Sequence, residues 1–578
     1  MTPLEGVRLT LVDSFEEAQE FARWLSQPRL VLGLDTETEG LDWWRDRLRL
    51  IQVGDEERGF ALPFPNWGGL AVDLLSRYRG PIVLQNAKFD AHHLRQWAGW
   101  RIPWERTHDT KVMAHLVDPL GPQGLKQMGA AWVDPRIPVL EDMLKKGMAK
   151  NRWTWATVPY DFAPYWQYGA LDPVITARVA ARLWPLAQPY RSLYETEMGL
   201  ERLLSVMEEK GMAVDVDYCA DTRHRLASRI DSLAAEIAAQ WDVDPGSSQS
   251  LASRFQALGV ELTARTEKGA WSMDEAALRA LDHPLADAVL ELRGLRKVAD
   301  TYLKNFIEFA DADGLLHASV KATGARTGRM SVSRPSLQNI PRSREARWAF
   351  TAREGNRLVL ADYEQIEMRI MAHYSQDETM IAAIRSGADL HTRTAQGAYG
   401  LGDSEPSKRQ RQIAKGANFA KIYGAGLGTF AATAGIGTLE AKDFLDRYAR
   451  TFPRVDAFMR EVQSVGRRRL AEEGEAYVTT WGGRRLPSDP DKLYTLVNYL
   501  IQGSARDVLG VRMLEMARAG LEEFMVLPVH DEVIMDVPEE DVDDVVETVR
   551  RVMPDTESFA VPLEVDVEVA ERWGEKYD

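Results

Sequence analysis

The sequence predicts a multidomain α/β protein, and three observations support this fold class. The chain has 578 residues, which is enough for about three to five domains of ~100–200 residues each. Strand-like and helix-like patterns alternate through about the first 185 residues, as in an α/β domain. The region from Tyr194 to Ala310 is mostly helical, and both patterns mix again from Leu315 to the C-terminus.

Within the alternating region, short apolar segments bounded by polar residues indicate strands. The predicted strands are 30–34, 48–53, 59–62 and 81–84, and a helix is predicted from about residue 88. In the helical region, the sequence LASRIDSLAAEIAAQW has the apolar spacing of a long amphipathic helix, and Pro245-Gly246-Ser247-Ser248 interrupts the helical pattern.

The composition is that of an ordinary globular protein. Hydrophobic residues make up 45% and charged residues 27% of the chain, which supplies apolar material for more than one core. The sequence contains no apolar run of transmembrane length and no basic segment followed by an apolar one at its start. The single cysteine, Cys219, excludes an internal disulfide and a zinc site built from cysteines. We therefore expect a protein of the reducing cytoplasm, neither secreted nor bound to a membrane.

The net charge of −16 argues at first against a nucleic-acid partner. However, binding depends on where the basic residues lie and not on the net charge. Acidic residues concentrate in segments such as PEEDVDDVVE near the C-terminus. Basic residues cluster in two other segments, Lys408, Arg409, Arg411, Lys415 and Lys421 in one and Arg467, Arg468 and Arg469 in the other. This distribution favours a basic channel in an acidic protein, although solvated helix faces would give the same pattern.

Acidic residues follow two of the predicted strands. Asp35 and Glu37 come directly after the first apolar run, in DTETEG, and their spacing of two places both side chains on one face of a strand. Asp90 ends the sequence NAKFD, just after the strand predicted at 81–84. Later in the chain, YGALD places Tyr168 and Asp172 four residues apart and hence on one face of a helix.

Together these segments offer four carboxylates and one phenol. Hard divalent cations prefer oxygen ligands, and two such ions need several carboxylates to hold them. Two neighbouring ions can activate a water and stabilise the leaving oxygen of a phosphodiester, while the phenol of Tyr168 could orient that water. Each segment alone is weak evidence, because a solvated strand or helix face often has the same spacing.

Two further aspartates lie far apart in sequence. Asp362 follows the apolar run 358–361, and Asp531 lies in FMVLPVHDEVIMDV, where two strand-like runs flank His530-Asp531-Glu532. The second pattern predicts a hairpin with acids at its tip. A lone acid in such a place is more often a turn residue or a helix cap. Two of them can jointly hold a pair of magnesium ions.

A third segment supplies cations. In KRQRQIAKGANFAKIYGAG, Arg411, Lys415, Phe419 and Tyr423 recur every four residues and form a slowly turning helical stripe of ~18 Å. Two cations of this stripe would meet phosphates, and two aromatic rings would lie toward a sugar and a base. The alternative is an amphipathic core helix whose basic side chains extend to solvent.

These motifs carry two family resemblances. The segments around Asp35, Asp90 and Asp172 resemble the DEDDy group of 3′→5′ exonucleases, whose fold is RNase H-like. ADYEQIEMRI, RQIAKGANFAKIYG and VHDEV resemble motifs A, B and C of family A (polymerase I type) DNA polymerases, and TGRMSVSRPSLQNIP resembles the segment before motif A. The second resemblance runs from about Arg293 to the C-terminus, so the two together cover nearly the whole chain.

The resemblances imply a role for each matching residue. The implied metal ligands are Asp35, Glu37, Asp90 and Asp172 in the exonuclease, with Tyr168 orienting the water, and Asp362, Asp531 and the carbonyl of Tyr363 in the polymerase. The implied dNTP-binding residues are Arg411, Lys415, His391, Gln365, Phe419, Tyr423 and Glu367. Among them, Phe419 would discriminate against dideoxynucleotides, Tyr423 would lie at the templating base, and Glu367 would exclude a ribose 2′-hydroxyl. The implied primer-template contacts are Arg329, Gln338, Asn339, Asn498, Gln502 and His530.

The same resemblances imply a domain organisation and partners. We expect an RNase H-like exonuclease domain at about residues 1–190 and a right-hand polymerase at about 191–578. Within the polymerase, the expected boundaries are a helical thumb at about 200–312, a palm at about 313–375 and 490–578, and fingers at about 376–489. Two Mg²⁺ ions per active site, replaceable by Mn²⁺, would act on primer-template DNA and dNTPs. A 5′-nuclease domain is expected to be missing, and this architecture resembles that of bacteriophage replicative enzymes, while a bacterial or organellar origin stays open. We expect a monomer in the cytoplasm of a bacterium or of a phage-infected host. The sequence predicts no particular processivity factor.

Three departures from the family pattern leave fidelity and nucleotide affinity open. They are Glu364 where serine is common, Gln412 where a second arginine is common, and Ala420 where glycine is common. Three other functions also stay open: a single-subunit RNA polymerase, against which Glu367 argues, a stand-alone exonuclease of RNase D type, and a non-catalytic nucleic-acid-binding protein. The last two leave the Asp362–Asp531 pair without a purpose.

Overall fold

The computed structural model describes residues 4–341 and 344–575. The chain divides into two compact units. The first contains the chain up to Glu209 together with Ala325–Gly328 and Tyr477–Pro487, and the second contains Lys210–Gly324, Arg329–Ala476 and the chain from Ser488 onward. Each unit is described by itself.

A six-stranded mixed sheet forms the centre of the first unit. Its strands are β1 (Arg8–Leu11), β2 (Leu32–Thr38), β3 (Leu48–Gly54), β4 (Arg58–Pro63), β5 (Ile82–Leu84) and β6 (Thr107–Asp109). They lie in the order β1-β4-β3-β2-β5-β6. β2 pairs antiparallel with β3 and parallel with β5, so it lies at the centre of the sheet and is buried by both neighbours.

Within the residues that the structure describes, eight α-helices accompany this sheet. They are α1 (Phe15–Leu25), α2 (Phe64–Arg77), α3 (Ala87–Ala98), α4 (Thr110–Val117), α5 (Leu125–Trp132), α6 (Pro138–Asn151), α7 (Ala163–Ala187) and α8 (Arg191–Lys210). Helix α1 begins at a capping box in which Ser14 and Glu17 satisfy each other's backbone donors. Single 3₁₀ turns lie at Trp104–Arg106 and Gln188–Tyr190.

Helix α7 packs directly across β2, β3 and β4. Two glycines permit this close approach: a Cβ on Gly59 would lie 1.8 Å from the Ala170 carbonyl oxygen, and a Cβ on Gly33 would lie 2.1 Å from that of Pro173. Any side chain at either position would push the helix away from the sheet. The glycines therefore set the distance between β2 and the turn of α7 that carries Asp172.

The predicted elements of this unit are confirmed, with one shift that concerns the acidic residues. The strand predicted at 30–34 is observed at Leu32–Thr38, so Asp35 and Glu37 lie inside the strand and not after it. The strand continues through these polar residues because its backbone pairs with β3 as far as Thr38. Tertiary pairing thus overrides the low strand preference of acidic residues.

The segment Tyr477–Pro487 joins the first unit through a buried ion pair. The Arg484 guanidinium lies 2.5 Å from the Glu197 carboxylate of α8, and both side chains are only 1% exposed. Breaking a buried pair leaves an uncompensated charge in the interior, which costs about 3–5 kcal/mol. The segment carries the tip of a hairpin formed by β12 (Ala476–Thr479) and β13 (Arg485–Ser488).

The second unit begins with a helical region. Its helices are α9 (Val216–Trp241), α10 (Ser248–Ala257), α11 (Glu275–Arg279), α12 (Pro284–Arg296) and α13 (Lys304–Phe309), with a π-helical stretch at Lys297–Leu303. The predicted amphipathic helix and the predicted break after it are confirmed by α9 and by the Ser247 cap of α10. Leucine and other apolar side chains of α9 to α12 form a separate core. A two-stranded ribbon of β7 (Met212–Ala213) and β8 (Leu315–Leu316) closes this region.

A four-stranded antiparallel sheet forms the centre of the rest of this unit. Its strands are β11 (Asn356–Tyr363), β14 (Met525–Val529), β15 (Glu532–Pro538) and β16 (Val565–Ala570), in the order β14-β15-β11-β16. β14 and β15 form the hairpin predicted from the sequence. A small ribbon of β9 (Ser319–Lys321) and β10 (Ser331–Ser333) precedes the sheet in the chain.

In the described portion of this part of the unit, there are ten α-helices. They are α14 (Arg344–Arg347), α15 (Ile366–Ser375), α16 (Glu378–Arg385), α17 (Leu390–Tyr399), α18 (Lys408–Ile422), α19 (Leu427–Ala434), α20 (Thr438–Thr451), α21 (Pro453–Glu473), α22 (Thr495–Met516) and α23 (Val542–Val552). α22 continues into a short π-helical stretch at Ala517–Leu521, and a 3₁₀ turn at Glu539–Asp541 precedes α23. Among residues 4–341 and 344–575, no helix is long and apolar enough to cross a membrane.

Two candidate active sites

The first unit brings three predicted carboxylates into one group. β2 presents Asp35 and Glu37, α7 presents Asp172, and one ligand oxygen of each lies within 4.8 Å of the others. Asp90, on α3, lies beside this group, because its Oδ1 accepts a 2.6 Å hydrogen bond from the hydroxyl of Thr36 on β2. Three of the four predicted acids therefore meet at β2, and Asp90 lies outside that group but close enough for the charge of Asp35 to act on it.

The crowding of these acids changes their protonation. Burial, opposed mainly by Lys126, raises the pKa of Asp35 to about 7. Burial and then the charge of Asp35 raise the pKa of Glu37 to about 8. Burial, followed by the charge of Asp35, raises the pKa of Asp90 well above its usual value. Such a group is stable as carboxylates only when a cation shares the site, and its oxygen ligands suit a hard divalent ion.

A lysine that the sequence analysis missed lies within this group. Lys126, on α5, forms an ion pair with the Asp172 carboxylate, and its Nζ lies 3.8 Å from the centre of the Tyr168 ring. Burial lowers the pKa of Lys126 to about 8, against the attraction of Asp35 and Glu37. No spacing in the sequence points to this lysine, because its position depends on how α5 packs against α7.

Tyr168 lies one helical turn before Asp172, as predicted. Its ring faces the Lys126 ammonium and lies 6.3 Å from the Trp155 ring. Burial and then Glu37 raise the pKa of Tyr168 well above its usual value, so it stays a neutral phenol that can donate a hydrogen bond. Arg49 fixes the loop before α7 by donating a 2.6 Å hydrogen bond to the Val158 carbonyl.

The second unit brings the two distant aspartates together. Asp362 lies near the end of β11 and Asp531 in the turn of the β14–β15 hairpin. The Tyr363 N–H donates a 3.4 Å hydrogen bond to the Asp531 carbonyl, so the two segments touch at this point. In the strand register Asp362 lies opposite Glu532, and opposed residues of antiparallel strands share a face.

Glu532 is a further acid of this site that was absent from the predicted set. Its side chain is only 5% exposed, and the Trp573 indole N–H lies 3.3 Å from its Oε2. The sequence contained a signal for it, since Glu532 directly follows Asp531 at the predicted hairpin tip. Its relation to Asp362 required the strand register.

A cavity of about 270 Å³ opens beside this pair. It is lined by Arg329, Gln365, Ile366, Glu367, Met368, His391, Phe419, Tyr423, His530 and Asp531. Eight of these ten residues belong to the predicted site. They come from β14–β15, α15, α17, α18 and the segment before β11, so the fold gathers them from five places in the chain.

Helix α18 carries the predicted stripe, with one difference at its end. The helix begins at Lys408, after a capping box of Ser407 and Gln410, and ends at Ile422, so Tyr423 caps the helix and does not lie in its last turn. Phe419 and Tyr423 reach the cavity, and their rings lie 6.4 Å apart. Arg411 lies two turns and Lys415 one turn before Phe419 on the same helix, and both are outside the residues that line the cavity.

Ion pairs hold the charged residues around this cavity. Arg329 pairs with Glu367, and burial, opposed by Arg329, raises the pKa of that carboxyl. Arg411 Nε donates a 2.8 Å hydrogen bond to Asp389, the N-cap of α17. The hydrogen bonds to Arg411 and Thr392 lower the pKa of Asp389 to about 2 in spite of its partial burial.

The remaining predicted DNA contacts are not among the residues that line the cavity, although Gln338 contacts the lining residue His530. Gln338 uses its side chain to bind its own segment, donating to the Met330 carbonyl at 2.9 Å, and its carbonyl lies 3.0 Å from His530 Nε2. The Asn339 side chain donates to Ser336 Oγ at 3.3 Å. Asn498 and Gln502 lie one turn apart on α22 and are largely buried.

Comparisons with known proteins agree with this arrangement. The 3′-5′ exonuclease family matches residues 10–188, and DNA polymerase family A matches residues 216–575. The DNA polymerase of Mycobacterium phage D29 is 29% identical over 605 residues, which cover 99% of this chain and 97% of that protein. DNA polymerase I of Synechocystis is 31% identical over 561 residues, which cover 88% of this chain but 55% of that protein.

A solved structure is similar over the whole chain. It is described as the POL domain of Pol1 from M. smegmatis in complex with DNA primer-template and dNTP. Its TM-score is 0.80 at 26% sequence identity, and the match covers 99% of this chain and 100% of that one. The chain therefore belongs to the family A DNA polymerases, as a DNA-directed DNA polymerase that carries a 3′→5′ exonuclease domain.

Proposed function

We propose that this polymerase extends a DNA primer on a template and proofreads it, with two divalent metal ions at each of its two sites. One observation carries this proposal: the Tyr363–Asp531 hydrogen bond joins the two aspartate-bearing segments at a cavity that the predicted nucleotide-binding residues line. The mycobacteriophage relatives of nearly the same length support a role in phage DNA replication. We propose in addition that the polymerase acts as a monomer in the host cytoplasm.

The donor sets at both sites suit magnesium, with manganese as a substitute. In the exonuclease domain, Asp35, Glu37, Asp90 and Asp172 would hold the ions; in the polymerase, Asp362, Asp531 and the Tyr363 carbonyl would do so. Bound ions would supply an activated nucleophile and stabilise the leaving oxygen at each site. The buried carboxylates of the exonuclease domain support this fit, because they need positive charge to stay ionised.

The polymerase residues then have separable roles. Arg411, Lys415 and His391 would bind the triphosphate, and Phe419 and Tyr423 would face its sugar and base. Glu367, which lines the cavity and is only 8% exposed, would exclude a ribose 2′-hydroxyl. The proposed dNTP contacts also include Gln365, and the proposed primer-template contacts are Arg329, Gln338, Asn339, Asn498, Gln502 and His530.

The exonuclease residues divide the work in a similar way. The Tyr168 phenol, kept neutral by burial, would donate a hydrogen bond that orients the attacking water. Lys126 would balance the carboxylate charge beside Asp172. A 3′ end that is frayed by a mispair would be cut at this site.

The subdomain boundaries stay part of this proposal. The helical region with α9 to α13 would be the thumb, at about residues 200–312. The four-stranded sheet would be the palm, at about 313–375 and 490–578, and α16 to α21 would belong to the fingers, at about 376–489. The exonuclease domain would end near residue 190.

A primer-extension assay tests the proposal. With Mg²⁺ and all four dNTPs, we expect a labelled primer on a template to lengthen; with Mg²⁺ alone, we expect it to shorten from its 3′ end. Replacing dNTPs by rNTPs tests the alternative of an RNA polymerase, and equal incorporation of both would contradict the proposed substrate. Shortening without any extension would favour a stand-alone exonuclease.

A further inference from the structure

Three buried polar side chains, joined by hydrogen bonds, lie behind the wall of the cavity that Asp531 lines. They are Thr394 and His391 on α17 and Asn418 on α18. Thr394 and Asn418 have no exposed surface, and His391 is 5% exposed and reaches the cavity. Asn418 belongs to none of the sets predicted from the sequence. A fully buried amide must satisfy its hydrogen bonds internally, so its partners define what it does.

The Asn418 amide is oriented with its nitrogen toward His391, and the Thr394 hydroxyl is its other partner. The Thr394 hydroxyl lies 2.7 Å from the Leu390 carbonyl and 3.1 Å from both the nitrogen and the oxygen of the Asn418 amide. A hydroxyl has a single proton to donate. The shortest contact takes that proton to Leu390, which leaves the hydroxyl oxygen to accept from the amide nitrogen of Asn418.

The same amide nitrogen lies 2.9 Å from His391 Nδ1. An amide nitrogen can only donate, so Nδ1 must be the accepting nitrogen of the ring. In a neutral imidazole the other ring nitrogen then carries the proton. Asn418 therefore selects the tautomer in which Nε2 is a hydrogen-bond donor.

The surroundings of His391 explain why the tautomer matters. Burial, with the positive charges of Arg411 and Lys415 on α18, lowers the pKa of His391 to about 4 against the attraction of Asp389. Across the cavity lie Arg329, Glu367 and Asp531, and the Phe419 ring lies 6.1 Å from the imidazole. At neutral pH the imidazole is therefore uncharged, and only one of its two tautomers can donate to a phosphate oxygen.

We propose that Asn418 is a positioning residue that holds His391 with its proton on Nε2, so that this N–H is presented to the triphosphate of the incoming nucleotide. The opposite tautomer would present a lone pair to an anion and would repel it. This inference rests on the proposed role of His391 in dNTP binding. In this role Asn418 acts through His391 and does not contact the substrate itself.

Asn418→Asp provides the sharpest test. The carboxylate that replaces the amide can only accept from Nδ1, so the neutral imidazole is forced into the tautomer that presents a lone pair at Nε2. Protonating the ring restores the Nε2 donor, and the neighbouring carboxylate favours that protonation. We expect KM for dNTP to rise about 10-fold at pH 8 and to return toward the wild-type value near pH 6, with kcat changed less. KM of the wild-type enzyme should stay nearly flat over the same range.

A double-mutant cycle separates this role from a structural one. We expect His391→Ala to raise KM about 10-fold, and we expect Asn418→Asp to add almost nothing in that background and to lose its pH dependence there. If Asn418→Asp raises KM as much without His391 as with it, or equally at pH 6 and pH 8, the positioning role is wrong.

A second variant covers the case in which a buried aspartate prevents folding. Asn418→Ala leaves both tautomers available, so we expect a rise in KM of about threefold that is independent of pH and again absent in the His391→Ala background. Degradation of single-stranded DNA by the same preparations reports whether the protein is intact. Absence of extension by the wild-type enzyme would contradict the proposed function itself, whereas a cycle with additive effects would contradict only the role of Asn418.

Discussion

The two carboxylate sites of this polymerase hold their acids in different ways. In the exonuclease domain, Asp35, Glu37 and Asp172 are packed so closely that burial raises the pKa of two of them to about 7 and 8, and Lys126 lies among them. In the second unit, the segments of Asp362 and Asp531 touch through a backbone hydrogen bond from Tyr363 to the Asp531 carbonyl, beside an open cavity.

The difference indicates how each site uses cations. The exonuclease site contains an internal ammonium group that offsets part of its negative charge before any ion binds. The polymerase site places its basic residues Arg411 and Lys415 along α18, where a triphosphate would bring further negative charge. The first arrangement suits a site whose acidic groups belong to the protein, and the second a site whose negative charge arrives with the substrate.

The largest expected effects separate the two sites completely. We predict that Asp531→Ala lowers primer extension by at least about 10²-fold while single-stranded DNA is still degraded. Asp35→Ala should do the reverse, because its carboxylate belongs to the other unit. Both activities are measured on one labelled primer. Loss of both activities in either variant, with the protein still folded, would contradict the two-site description.

A smaller effect concerns substrate selection at the second site. Glu367 pairs with Arg329 at the cavity wall, and we predict that Glu367→Ala raises the ratio of rNTP to dNTP incorporation by about 10²-fold, since a site that rejects one hydroxyl by contact discriminates by a few kcal/mol. Single-nucleotide incorporation kinetics measure this ratio. Glu364→Ala is the matched control, because that exposed acid on the same segment lies outside the cavity lining and should leave the ratio unchanged.

The lysine in the exonuclease site tests the idea of an internal cation. Lys126→Met leaves the carboxylates without their ammonium partner, so we predict that the unfolding midpoint of the metal-free protein falls by about 2–4 °C at pH 8 and that Mg²⁺ restores most of the loss. Lys145→Met is the control, since Lys145 forms only an exposed pair with Glu141 on α6. An equal fall for both variants would show that Lys126 has no special role.

The smallest effect is the pH dependence of metal stabilisation. The folded-state pKa values of Asp35 and Glu37, about 7 and 8, lie above those of the unfolded chain. Their contribution to stability is therefore fully present below pH ~4 and is lost as the pH rises through 7 to 8 without metal. We predict that Mg²⁺ raises the unfolding midpoint more at pH 8.5 than at pH 5.5. In Asp35→Asn, the gap between the Mg²⁺-induced rises at the two pH values should shrink. If the gap stays the same, the protonation of Asp35 does not cause it.

Much of the candidate site could be predicted because its signals are local. A strand alternates its side chains, so the spacing of Asp35 and Glu37 placed both on one face without further information. The helical period did the same for Tyr168 and Asp172, and the apolar runs around Asp531 predicted the hairpin that β14 and β15 form. The continuation of β2 through Asp35 and Glu37 could not be predicted from local sequence, because it depends on the pairing of β2 with β3.

The sequence by itself determined which residues carry the chemistry and in what order, since the motifs resemble those of a known family and short periodicities fix the faces of single elements. Only the tertiary structure decided what surrounds them. Lys126 reaches Asp172 because α5 packs on α7, Glu532 faces Asp362 because of a strand register, and Asn418 meets His391 because α17 and α18 pack together. Each of these contacts joins separate elements, and their geometry is set by packing and register, which no spacing within a single element encodes.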